Sequence, residues 1–262
     1  MLLCKTCNES TGRLHDSEFA KFANLLASKY NIIRERGSVR NEIGTDRQTG
    51  REVVIKPGYQ VDYLHPEIKS ISENQTLISA SSIKRYQQAV EQLKKQAVRE
   101  DREIDFTPFT IDTTPRQIIF TVDFSVNQDL VLRSTCRTLC NFYYLKTTDR
   151  KFIKPVIEFI TTDMENRFAW FCDLNLVSTK YPGKPYHLVI IKGDKKKKAL
   201  IGYFEIFGEK GFISLMNGDY TGDDLLISYT YDPINNSEIR ADYSFDINVG
   251  KLIQHIIEKP QL

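Results

Sequence analysis

Hydrophobic spacing divides the chain into an opening helix, a glycine-punctuated connector, a run of further helices and a long β-rich end. Phe19, Phe22, Ala23, Leu26 and Tyr30 recur at helical spacing, with Asp16 or Ser17 placed to cap the start by accepting backbone N–H bonds. Between Arg34 and Tyr63 the texture changes to Gly37, Gly44, Gly50, Pro57 and Gly58 around short β-type runs such as Val53-Val54-Ile55, which predicts a small hairpin or irregular connector. Over 81–100, Ile83, Tyr86, Val90, Leu93 and Ala97 form one apolar stripe among charged and amide residues, the clearest helix of the chain.

Arg116 to Phe124 alternates as a strand does. Asn127 or Asp129 then opens a helix to about Lys146 with Leu132, Cys136, Leu139, Cys140 and Tyr143 on one face. Phe152, Val156, Ile157 and Ile160 make a shorter helix, with Pro155 confined to its first turn. From Arg167 onward the pattern is β. Strands are expected at Phe168–Phe171, His187–Ile191, Leu200–Phe207, Phe212–Met216 and Leu225–Tyr231, with turns at Gly193-Asp194 and Gly208–Gly211, and Ile253, Ile256 and Ile257 suggest a short closing helix. The fold class expected is α+β, ending in an antiparallel sheet. Three segments are expected: 1–33, 34–112 as a connector with a small β region and one long helix, and 113–262 as an α+β domain.

Composition narrows the class without naming a function. The chain is 41% hydrophobic and 27% charged with a formal net charge of +2, an ordinary globular balance that neither requires nor excludes a nucleic-acid partner. It has no apolar run near the roughly 18–20 residues of a membrane span, so no membrane partner is expected. Met1-Leu2-Leu3-Cys4-Lys5 turns polar too soon for a signal peptide. The five cysteines are odd in number and scattered, which argues against a disulfide framework and for a reducing cytoplasm.

Cys4-Lys5-Thr6-Cys7-Asn8 with Gly12 forms a C-x-x-C-N-x-x-x-G run. It resembles the helix-opening segment of HNH endonucleases, the ββα-metal nucleases. Asp16 after Leu14, His65-Pro66, the helix from Val126 to Tyr144, and the pairing of His187–Ile190 with Gly202–Gly208 are similar to later parts of large members, in the same order. The resemblance implies metal-dependent phosphodiester hydrolysis of DNA. It implies Cys4 and Cys7 as half of a structural Zn²⁺ site, and Asn8 as a ligand of a catalytic Mg²⁺ or other divalent ion. The family's upstream C-x-x-C and its general-base histidine have no counterpart here. The expectation is therefore a remnant of the ββα-metal motif, N-terminally truncated, with no cutting by the chain alone. A redox role for Cys4 and Cys7 would need a preceding strand.

The remaining chemistry-bearing residues read more plainly. Arg34, Arg36, Arg40, Arg47 and Arg51 form a basic cluster suited to backbone phosphates. Lys195–Lys198 can grip phosphate but reads first as a solvated hairpin tip. Asp219, Asp223 and Asp224 read as a turn; His15, His65, His187 and His255 show no metal-ligand spacing; Cys136, Cys140 and Cys172 read as core. The competing functional class is a non-catalytic module binding nucleic acid or protein, such as a regulator or defence-system component.

Overall fold

The structure is a computed structural model; it describes residues 9, 12–32, 41–72, 75–107, 110–111, 118–122, 125–162, 164, 168–172 and 185–239. The fold is α+β. A π-helical turn, Gly12–Asp16, runs into helix α1 (Ser17–Lys29). Strands β1 (Glu42–Asp46), β2 (Glu52–Lys56), β3 (Gln60–Tyr63), β4 (Glu67–Ser72) and β5 (Gln75–Ser79) precede α2 (Ile83–Arg99) and β6 (Phe120–Thr121). Then come α3 (Gln128–Thr147), a 3₁₀ turn (Lys151–Ile153), α4 (Lys154–Thr161), β7 (Ala169–Cys172), β8 (His187–Asp194), β9 (Ala199–Ile206), β10 (Lys210–Asn217), β11 (Leu225–Asp232) and β12 (Ser237–Glu238). Among the described residues no helix is long and apolar enough to cross a membrane.

The chain divides into two compact units, one of residues 28–124 and one that joins 1–27 to 125–262. In the first, β3-β2-β1-β6 form an antiparallel sheet and β4-β5 a separate hairpin. Where the sequence suggested one small hairpin or an irregular connector, three meandering strands pair in register, Ile43 opposite Val54 and Ile55 opposite Val61. Val53 and Ile55 are fully buried. Helix α2 stands where its stripe predicted, but the buried face differs at two positions. Ala97 is buried and Tyr86, Val90 and Leu93 are half-buried, while Ile83 is exposed and Ala89, outside the expected stripe, is buried. Ser82 caps the start by accepting the Arg85 N–H.

The second unit is built on a six-stranded antiparallel sheet of order β12-β11-β8-β9-β10-β7. Every residue of the central strand β9 is buried. Strand geometry sends alternate side chains to opposite faces. On one face lie Phe204 and Phe212, which meet Phe19 of α1 at ring-centroid distances of 5.9 and 6.0 Å; Phe22 meets Phe212 at 5.7 Å and Phe171 at 5.9 Å. The same face receives α3, whose Leu139 lies directly over Gly202, so closely that a β-carbon there would sit 2.8 Å from a leucine methyl. Cys136 Sγ lies 3.9 Å from Ser214 Oγ. On the other face Tyr186, Leu188, Ile190, Ile201, Tyr203 and Ile213 form the hydrophobic cluster. There Glu205, 1% exposed, accepts hydrogen bonds from Tyr186 and Tyr203, each at 2.7 Å.

The expected boundaries of α3 and α4 agree with the structure. Asn127 caps α3 by accepting the Leu130 N–H at 3.2 Å, and Pro155 stands in the first turn of α4, where a missing N–H costs nothing. Of the strand expected from Arg116 to Phe124, residues 118–122 are described, and within them the strand is Phe120–Thr121. The closing helix expected around Ile253 lies outside the described residues.

Candidate functional site

The described structure nearest the C-x-x-C-N run is the turn Gly12–Asp16, and it docks on α3. In an α-helix, residues four apart share a face, so Asp129, Arg133 and Arg137 form a charged row along a largely buried helix. Arg137 Nη2 donates to Asp16 Oδ2, and Ser134 Oγ donates to Asp16 Oδ1 at 3.0 Å. Gly12 lies against the same guanidinium: a β-carbon there would stand 3.1 Å from Arg137 Nη1. Glu18 Oε2 accepts the Asn127 N–H at 2.9 Å and ties α1 to the start of α3.

This arrangement changes the expected start of the opening helix. Neither Asp16 nor Ser17 caps it. Asp16 turns to α3, and Ser17 Oγ donates to the Leu14 carbonyl at 2.9 Å. The helix continues backward as a wide π turn, a form found mostly as single turns and often where function constrains the backbone.

Arg133 is 7% exposed, and all its nitrogens are engaged. Nε donates to Asp129 at 2.6 Å, Nη1 to the carbonyls of Phe159 and Thr162, and Nη2 to the Met164 carbonyl at 2.9 Å, while the guanidinium lies over the Phe159 ring at 4.3 Å. It thus satisfies carbonyls at the C-terminal end of α4, where a cation also suits the helix dipole. His15 is 6% exposed, and among the described residues its Nδ1 and Arg137 Nη1 have no hydrogen-bond partner. Burial depresses the His15 pKa, and the neighbouring Arg133 and Arg137 depress it further against Asp16 and Asp129. The imidazole is therefore neutral at neutral pH and buried against α3's charged row.

Cys4, Cys7 and Asn8, the expected metal ligands, and Arg34, Arg36 and Arg40 of the basic cluster lie outside the described residues. Arg51 is committed locally. Its guanidinium covers the Tyr63 ring at 4.0 Å, pairs with Glu67 at 3.1 Å and donates to the His65 carbonyl at 2.8 Å. Arg47 is exposed, beside a turn held by buried Asp46, which accepts from Gln48 N–H, Thr49 and Tyr63. Those bonds, Thr49's foremost, hold the Asp46 carboxyl below its usual pKa.

Lys195–Lys198 form the β8–β9 turn. Lys195 and Lys197 face Asp223 at 3.4 Å and Asp194 at 3.8 Å, and Asp224 accepts the Lys195 N–H, so two of the four lysines are paired with near neighbours. Burial pushes the Cys136 thiol up to about 12 and Cys140 well above its ordinary value, which makes both inert core residues. Among the described residues no group of three or more His, Cys, Asp or Glu side chains could hold a metal ion.

Arg133 and Arg137 were absent from the sequence-derived candidates. Their signal was an Asp-Arg-Arg row at four-residue spacing on the buried side of a helix, where unpaired charge is costly and so marks a specific partner. No family model matches the chain, and no curated protein or solved structure is significantly similar to it.

Proposed function

We propose that the chain is an HNH endonuclease-like protein in which the C-x-x-C-N segment is part of a ββα-metal module and the sheet unit is the platform that carries it. The observation supporting this is the use made of two residues of the motif pattern, Gly12 and Asp16. Arg137 lies close against Gly12, where a β-carbon would stand 3.1 Å from its Nη1, and it pairs with the aspartate. Both residues thus fix where the helix after the motif begins. Cys4 and Cys7 would hold zinc, Asn8 a divalent cation that stabilises the leaving oxygen of a DNA phosphodiester, and Arg47 with Arg34, Arg36 and Arg40 the DNA backbone.

Cobalt titration tests the metal half. A thiolate-to-cobalt absorption band is expected in the wild type, lost in Cys4→Ser and in Cys7→Ser and retained in Cys172→Ser. A band that persists without both N-terminal thiols overturns the assignment. For the catalytic half, a fusion supplying a C-x-x-C and hairpin histidine ahead of Met1 is expected to nick supercoiled plasmid with Mg²⁺ and to stop nicking in Asn8→Ala. A folded, zinc-loaded fusion that leaves plasmid intact removes the nuclease reading and favours the non-catalytic binding module.

A further inference from the structure

The end of α3 and the turn after it present an unusual run of aromatic rings, each overlaid by a cation. Lys146 lies over Phe142 at 5.7 Å, Arg150 over Tyr144 at 4.8 Å, and Lys151 over Phe152 at 5.0 Å. With exposed Lys154, residues 146–154 carry four cations against one acid, Asp149, whose Oδ1 accepts the Lys151 N–H at 2.7 Å. Beside this run is a cavity of about 310 Å³ walled by Phe152, Pro155, Phe168 and Met216, with Lys151 and Asp219 among its lining.

Its walls are fixed from behind. Phe152 meets Tyr220 edge-on at 4.6 Å and Phe168 leans on Phe159 at 5.5 Å. Asn217 donates to the Phe152 carbonyl at 2.8 Å and accepts the Asp219 N–H at 2.7 Å. Beside the cavity the register of β10 with β9 shifts between Leu215 and Asn217, an irregularity of the kind over-represented next to functional sites.

We propose that this cavity and its flanking cations form a binding site for single-stranded nucleic acid, one unstacked base entering between the rings and adjacent phosphates lying along Lys146, Arg150, Lys151 and Lys154. Apolar and aromatic walls suit a planar base, and base–aromatic contact is sequence-tolerant because every base has a π face. Lys151 lines the cavity and Lys154 precedes Pro155 of its wall, and with Lys146 and Arg150 they give this segment an excess of positive charge for the backbone. A duplex keeps its bases stacked and unavailable to a concave site. The inference takes its ligand class from the nucleic-acid reading above but needs neither metal nor cutting.

The test is fluorescence anisotropy of a labelled mixed-sequence single strand with the full-length chain in chelator, so that its failure leaves the cobalt and nicking experiments standing. With about three phosphates neutralised, log affinity should fall with log salt at a slope of about −2, roughly twentyfold between 50 and 200 mM. Lys151→Glu with Lys154→Glu is expected to weaken binding at least tenfold. Thr221→Trp, which fills the cavity from an exposed position, should do likewise, while Lys196→Glu at the β8–β9 hairpin tip, which does not line the cavity, changes it less than twofold. Equal affinity for duplex, indifference to the first two variants, or binding that persists at high salt overturns the proposal. So does equal competition by polyglutamate, which would make the surface a generic acceptor of acidic protein segments.

Discussion

Gly202→Ala should destabilise the sheet unit, and shortening Leu139 should remove much of that cost. A β-carbon at Gly202 would stand 2.8 and 3.0 Å from the two Leu139 methyls and 3.0 Å from Met216 Sδ, well inside the ~3.5–4.0 Å at which such atoms attract. Overpacking of this kind costs about 1–3 kcal/mol. Leu139 is fully buried, so Leu139→Ala alone should cost about 2–5 kcal/mol through lost contacts and a cavity. In the double variant the new methyl occupies part of the space the leucine left, while the Met216 contact remains. The double cost should therefore fall short of the sum by about 1–2 kcal/mol. Urea unfolding followed by fluorescence of Trp170, the chain's single tryptophan and a residue of β7, reports this unit directly. Costs that add within about 0.5 kcal/mol would mean that α3 does not seat on β9 as described.

Arg133→Met should cost about 3–5 kcal/mol by leaving the α4 carbonyls unsatisfied and Asp129 unpaired, measurable in the same urea assay; a cost below 1 kcal/mol would refute the bonding described. His187 packs edge-on against Phe207 at 4.6 Å, and burial lowers its pKa to about 4. The folded ring stays neutral while the unfolded chain takes up a proton near pH 6.5, so stability is full above that pH and declines as pH falls from 6.5 toward 4, by at most about 3 kcal/mol. His187→Gln should flatten that decline, and an unchanged slope would assign it to other groups. Asn127→Ala removes the α3 cap and should lower stability by about 1 kcal/mol, whereas Asn127→Ser should restore most of it.

Where periodicity and capping chemistry act over a few residues, the sequence was enough. The helices α2 and α3, the Asn127 cap, Pro155 in the first turn of α4 and the strands β7 to β11 were legible, because each depends on spacing and turn residues within its own segment. The connector was harder to read. Glycines and short apolar runs signalled turns, but pairing of β1 with β6 joins Thr45 to Thr121, a contact that no local pattern encodes.

The candidate site divides in the same way. The C-x-x-C-N-x-x-x-G run stands out in one dimension because its chemistry lies in spacing. That Asp16 would pair with Arg137 rather than cap its own helix required α3 to arrive 121 residues later in the chain. That Arg133 would be buried required α4 to turn its carbonyls toward it. That Lys195 would face Asp223 and Asp224 required the loop before β11 to fold beside it. Local rules set which residues form helix or strand, because backbone hydrogen bonds and side-chain alternation close within a segment. Tertiary packing alone decided which charges are paired and which remain available to a ligand, because Coulomb and desolvation energies depend on neighbours brought together through space.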